Sequence, residues 1–272
     1  MHVLQLNLMK GYWHQLKETK KIPIVIKNIV MIKLSVFVGF FLLSSCLNTA
    51  WYQNDKINGN GDLISEIRDI GTYNSISCAG AINFIVVPDA VGHIEIEGES
   101  NLLKYVITEI KNENLIVKIE KNKSLISSSG MALKVIIPCN NSLDKISLAG
   151  SGDLWNDGKL ITSNLDVSLA GSGDISLDID TANMNISLAG SGNITLKGTT
   201  NNLSANLAGS GDIHSFNLET NHAVVSVAGS GDIEVVSNET LKARVSGSGD
   251  IQYKGNPIEK DSKVSGSGNI FN

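Results

Sequence analysis

Seven carboxylate or amide side chains recur down the second half of this chain, each directly behind a Gly-Ser-Gly triplet: Asp153, Asp174, Asn193, Asp212, Asp232, Asp250 and Asn269. Side chains of this type at a fixed interval can do three kinds of chemistry. They can hold Ca²⁺ between successive turns of chain, as in the Gly-Gly-x-Gly-x-Asp repeats. They can form the Asp clusters with which polysaccharide lyases and hydrolases on β-helix scaffolds work. They can also accept hydrogen bonds from backbone amides and fix a turn of Asx type. In this sequence the Asp follows Gly directly, Asn replaces it twice, and the interval is about double that of the calcium repeats. The turn-fixing role is therefore expected, with the row a weak metal candidate and no metal site assigned.

A catalytic site is a local exception to a repeat, whereas these Asp residues return at the same place every time. No Asp or Glu stands apart from the pattern, and His93, His214 and His222 have no nucleophile nearby in sequence. His214 falls where neighbouring repeats place Ser176, Thr195 and Glu234. No catalytic residue and no cofactor is assigned. A carbohydrate-active enzyme, lyase or hydrolase, is the alternative, and a charged cluster unique to one repeat would favour it.

The elements that must position the row follow from its spacing. The second glycines of the triplets are Gly152, Gly173, Gly192, Gly211, Gly231, Gly249 and Gly268, a repeat of about 19 residues with small variations in length. A unit of that size cannot bury a core alone and must stack on neighbours. Apolar residues precede each corner at every second position (Leu165, Val167, Leu169; Met184, Ile186, Leu188) and resume after it (Ile175, Leu177; Ile194, Leu196), which is a strand with one buried face. The polar stretches between, such as 178–183 and 197–202, are expected to be outside turns that absorb the length variation. A propeller blade needs about 40 to 50 residues, the leucine-rich pattern is missing, and the Gly, Ser, Asn and Thr density opposes helices. A sandwich has no need of the same corner seven times. The predicted fold is all-β, a parallel β-solenoid of single-stranded β-helix type with coils of about 19 residues over 143–272, preceded by an irregular β region over 63–142 that caps it. Within that region Ile76–Phe84 aligns without gaps on Ile146–Leu154 as a decayed copy of the repeat.

The N-terminus carries a separate signal. An apolar run from Leu34 to Leu43 follows Lys33 and ends in Leu43-Ser44-Ser45-Cys46. The run has the size of a signal-peptide core and is short for a membrane span. Residues 31–46 are read as a lipoprotein signal peptide with Cys46 the acylated residue, 1–30 as an extension upstream of the true start at Met31, and 47–62 as a polar tether. Beyond Cys46 the chain holds 16 Lys and Arg against 26 Asp and Glu, a net charge of −10, which argues against a nucleic-acid partner. Cys78 and Cys139 lie in strand-like runs; export permits a disulfide, but buried free thiols are commoner at such positions and are the expected state. They lack metal-ligand spacing.

Taken together, the Leu-Ser-Ser-Cys signal, the phrase beginning at Tyr73 (Tyr-x-x-Ile-Ser-x-Ala-Gly-Ala-Ile-Asn-Phe-Ile-Val), Glu-Gly-Glu-Ser-Asn-Leu-Leu from Glu97 and the serial Ser-Gly-Ser-Gly-Asp-Ile phrases resemble the head GIN domain family, putative autotransporter adhesins among Gram-negative envelope lipoproteins. The resemblance spans about residues 70 to 270. It implies a β-solenoid at the cell envelope, anchored by lipid to a membrane that is expected to be the outer one, with a surface glycan or an envelope protein as partner. It brings no catalytic residue.

Overall fold

The computed structural model describes residues 54–272, Ser129 and Met131 excepted. The expectations for 1–30, the signal peptide 31–46 with Cys46, and 47–53 lie outside the described residues.

The repeats form a parallel β-solenoid. Strands Ile175–Gly190, Ile194–Gly209 and Ile213–Gly229 each run almost a whole coil, 16, 16 and 17 residues. Neighbouring coils pair parallel and in register, so that Leu148, Leu169, Leu188, Leu207, Val227 and Val245 form one continuous row. All six are at most 3% exposed, and each contributes about 1.5–3 kcal/mol by burial. Val264 continues the row but is 42% exposed, because among the described residues no strand pairs with the outer side of Glu259–Gly266.

Within a coil the inward alternation is Ile175, Leu177, Ile179 and Thr181; two outward residues, Ala182 and Asn183, then make a second corner, after which Met184, Ile186 and Leu188 point in. This corrects the expectation of an outside turn over 178–183. Ile179 and Thr181 are buried, so the stretch is strand, and the polar threonine is tolerated because its hydroxyl donates to the Asn183 carbonyl at 3.2 Å. Length variation is absorbed instead by a register shift between Thr195 and Lys197 against the next coil. In the following coil it is absorbed by a break between strands Ile233–Val236 and Thr240–Gly247.

The Gly-Ser-Gly corner needs its two glycines for different reasons. Gly190 has φ +141°, a backbone region that L side chains rarely adopt. At Gly192 the need is for space: an added Cβ would lie 1.9 Å from the Gly173 carbonyl oxygen of the preceding coil. That closeness lets the amides of Ser191 and Gly192 both donate to the Gly171 carbonyl, at 2.9 and 3.1 Å.

The cap is built out of chain order. Ser75–Gly80 pairs parallel with Lys145–Gly150, Ile76 opposite Ile146 and Cys78 opposite Leu148, and Phe84 lies opposite Leu154. The gapless alignment of the decayed copy is thus also its stacking register. Its other side is covered by strands later in the chain, Asn114–Ile119 and Lys134–Cys139. Antiparallel strands then end the parallel stacking: Val106–Lys111 on Asn114–Ile119, His93–Glu99 on Lys134–Cys139, and Leu63–Asp69 on His93–Glu99. The 63–142 region therefore does cap the solenoid, but with its first coil lodged between later segments.

The segment read as a tether is structured at its C-terminal part. Asp55–Asn58 pairs parallel with Lys123–Ile126, and Lys123 Nζ meets Asp55 Oδ2 at 2.8 Å. So short and polar a strand escapes detection from period alone.

Candidate functional site

The corner row is a ladder between coils rather than a set of turns closed on themselves. The amide of Asp174 donates to Asp153 Oδ1 at 3.0 Å, that of Asn193 to Asp174 Oδ1 at 2.8 Å, that of Asp212 to Asn193 Oδ1 at 3.1 Å, and that of Asp232 to Asp212 Oδ1 at 2.8 Å. Asp250 and Asn269 extend it at 2.7 Å each. The expected Asx-type bonding within the turn is corrected accordingly: parallel stacking brings the next coil's amide nearer than the residue's own turn. Asn193 and Asn269 also donate a side-chain N–H to Asp174 and Asp250, each at 3.1 Å. The row stays at the surface, and among the described residues no three His, Cys, Asp or Glu side chains converge as metal ligands.

Two residues past the row lies a second outward line, Trp155, Ser176, Thr195, His214, Glu234, Gln252 and Phe271, set by the same register. His214 Nδ1 stands 3.2 Å from Glu234 Oε2. His222 belongs to the second corner, 3.0 Å from Thr240 Oγ1, and His93 pairs with Asp69 in the cap. The three histidines are spread over separate elements and share no site.

The second corner carries rows that sequence reasoning passed over. Thr162, Thr181, Thr200 and Thr220 are stacked, and Asn164, Asn183, Asn202 and His222 lie two residues on. Asn183 donates to Asn164 and Asn202 to Asn183, both at 2.8 Å. Beside them an open groove of about 500 Å³ runs across the coils, with Ile161, Asp180 and Thr199 on one side and Ala182, Asn201 and Asn221 on the other. Thr199 Oγ1 donates to Asp180 Oδ1 at 2.8 Å, and Asn221 Nδ2 to Asn201 Oδ1 at 2.9 Å. The signal was present as a recurring Thr-x-Asn, hidden inside segments of variable length.

In the cap, Glu99 is a charged group taken out of solvent, 2% exposed. Its carboxylate accepts from Ser128 Oγ at 2.7 Å, the Gly61 amide at 2.5 Å, Ser127 Oγ at 2.7 Å and the Ser128 amide at 2.7 Å. Those donors, Ser128 Oγ foremost, hold it down at about 2 against an ordinary 4.5. Gly59 must lack a side chain, since a Cβ there would lie 2.0 Å from Glu99 Oε2. Asn101 Nδ2 adds a bond to the Asn58 carbonyl at 2.8 Å. The Glu-Ser-Asn phrase is thus a clamp on the incoming chain.

Cys78 and Cys139 are both free and buried, and burial pushes their thiols up, Cys139 to about 11. Between the strands that carry them, Tyr73 donates its hydroxyl to the Pro138 carbonyl.

Comparison with known proteins agrees with this architecture. The model of a family described as putative auto-transporter adhesin, head GIN domain, matches residues 72–257. A crystal structure of a putative adhesin from Bacteroides fragilis NCTC 9343 superposes with a TM-score of 0.72 at 28% identity, covering 79% of this chain and 99% of that one. One of a putative lipid binding protein from Parabacteroides distasonis ATCC 8503 gives 0.67 at 27% identity, over 80% and 99%. A putative adhesin from the same organism gives 0.66 at 24% identity over 80% and 99%, a likeness of fold. No curated protein matches the chain.

Proposed function

This chain belongs to the putative auto-transporter adhesin, head GIN domain family, and from that membership we propose a non-enzymatic cell-envelope lipoprotein whose solenoid is a rigid display surface for adhesion. The observation that carries the reading is the uniformity of the outward rows. Six consecutive steps of the corner ladder, from Asp153 to Asn269, repeat one hydrogen bond, which supports a scaffold over a localised reaction centre. The surface groups offered are carboxylates, amides and hydroxyls, suited to a glycan or to a polar protein face.

Anchoring through Cys46 completes the proposal. Only residues 47–54 separate that cysteine from strand Asp55–Asn58, a reach of about 28 Å at full extension. The Glu99 clamp holds the segment just beyond the strand, which supports an anchor joined to the solenoid at its cap. Labelling cells with an alkyne fatty acid tests the anchor: wild type should be labelled and sediment with membranes, and Cys46→Ala should do neither. Equal labelling of the two overturns the lipoprotein reading.

A further inference from the structure

We propose that the groove along the second corner binds a neutral glycan chain lying parallel to the solenoid axis, a reading that rests on the display function above and gives it a site. The groove, of about 500 Å³, crosses the coils from Ile161 to Asn221. One side is a row in register, Ile161–Asp180–Thr199, and the other is formed by the corner residues Ala182, Asn201 and Asn221, each one position past a stacked Thr. Equivalent groups therefore return every ~4.8 Å along the axis, an interval close to one sugar ring of an extended chain.

The chemistry of the walls selects the ligand. The internal bonds of Thr199 to Asp180 and of Asn221 to Asn201 each engage one atom of the acceptor. Asp180 keeps a second carboxylate oxygen, Asn201 both amide hydrogens and Asn221 its carbonyl, so acceptors and donors alternate along the line. That alternation matches vicinal hydroxyls, which donate and accept together. Ile161, 55% exposed, and Ala182 supply aliphatic surface for the C–H face of a ring. Asp180 and, two coils on in the same row, Glu219 oppose an anionic polymer. A peptide adding as a strand finds no edge at the middle of the groove, since strands 175–190 and 194–209 are paired on both sides there.

The test uses the full chain, immobilised, with cellohexaose, xylohexaose and mannohexaose as neutral probes and polygalacturonate as the anionic one. At least one neutral hexasaccharide should bind at millimolar concentration or below. Asp180→Ala and Asn201→Ala should each weaken it about tenfold, the effect of losing one hydrogen bond to a polar or charged partner. Asn206→Ala, exposed on another face, should not, and all variants should melt with the wild type. Binding by none of the three, preference for polygalacturonate, or unchanged affinity in Asp180→Ala each overturns the assignment. Adherence of expressing cells, scored in parallel, separates the two proposals: adherence without neutral-glycan binding removes the groove alone, and absence of both removes the display function as well.

Discussion

Asn193 gives Asp174 two hydrogen bonds, one from its backbone amide at 2.8 Å and one from its side-chain amide at 3.1 Å. Where Asp232 follows Asp212, the second donor is replaced by another carboxylate. Equivalent positions lie ~4.8 Å apart, and unit charges at that distance repel by about 1 kcal/mol even in water. The row thus mixes relieved and strained steps, and Asp212, Asp232 and Asp250 form its longest run of like charge.

Asp232→Asn keeps the acceptor for the Asp250 amide and removes the central charge of that run. It should raise stability by about 0.5–1 kcal/mol at low salt, with the gain shrinking in molar salt. Asp232→Ala loses the acceptor and should cost about 1 kcal/mol. Chemical denaturation at two ionic strengths measures both.

Chelator should leave the melting curve unmoved, as should millimolar calcium. A Ca²⁺ ion held between coils would add about 2.7 kcal/mol at a hundredfold excess over Kd. A rise of many degrees with calcium would reassign the corner carboxylates as ligands.

Leu188→Asp puts an unpaired charge in the middle of the buried row and should cost several kcal/mol. Asn206→Asp, on the outward side of the next coil, should change stability by less than about 0.5 kcal/mol. Equal midpoints for the two variants would show that the inward register is wrong.

Gly192→Ala sets a methyl group where 1.9 Å is available to a backbone oxygen. Neither atom belongs to a flexible side chain, so adjacent coils must separate, at a cost of more than about 3 kcal/mol. Ser191→Ala, exposed at the same corner, is the matched control. Thermal unfolding of the three proteins decides it.

Glu99 makes the cap sensitive to acid. Its folded carboxyl lies near 2 and its ordinary value is 4.5, so its contribution is fully present above about 4.5 and is lost as pH falls from there toward 2. Glu99→Gln should be less stable at neutral pH and should show a flatter decline across that window. Hydrogen exchange at the Gly61 and Ser128 amides reports the clamp directly, and protection unchanged in the variant would refute its role.

The fold was legible because a short, regular period combined with an inward alternation of two leaves few architectures able to bury their apolar faces. Ile146-Ser147-Leu148 and its copies fix strand, face and register at once, and the same register extends to Ile76-Ser77-Cys78. The second corner was less legible: its inward residue is Thr181, Thr200 or Thr220, polar in sequence and satisfied by backbone carbonyls that the fold brings near. Glu99 was recognisable as part of a phrase but not as a buried acceptor, because its donors, Gly61, Ser127 and Ser128, come from distant stretches of chain on both sides of it. The groove has no motif of its own, since its rows become neighbours only when coils stack.

The lodging of Ser75–Gly80 between Asn114–Ile119 and Lys145–Gly150 sets the timetable on which the molecule assembles. A chain emerging from its N-terminus presents this strand early, with both edges bare, and must extend as far as Gly150 before the second edge is covered. Closing that long loop is the slow, entropically costly event. Every later coil meets a finished template and can add locally. Emerging from N- to C-terminus, the protein is therefore most vulnerable to proteolysis and misassociation while the cap is incomplete, and progressively safer with each repeat that follows.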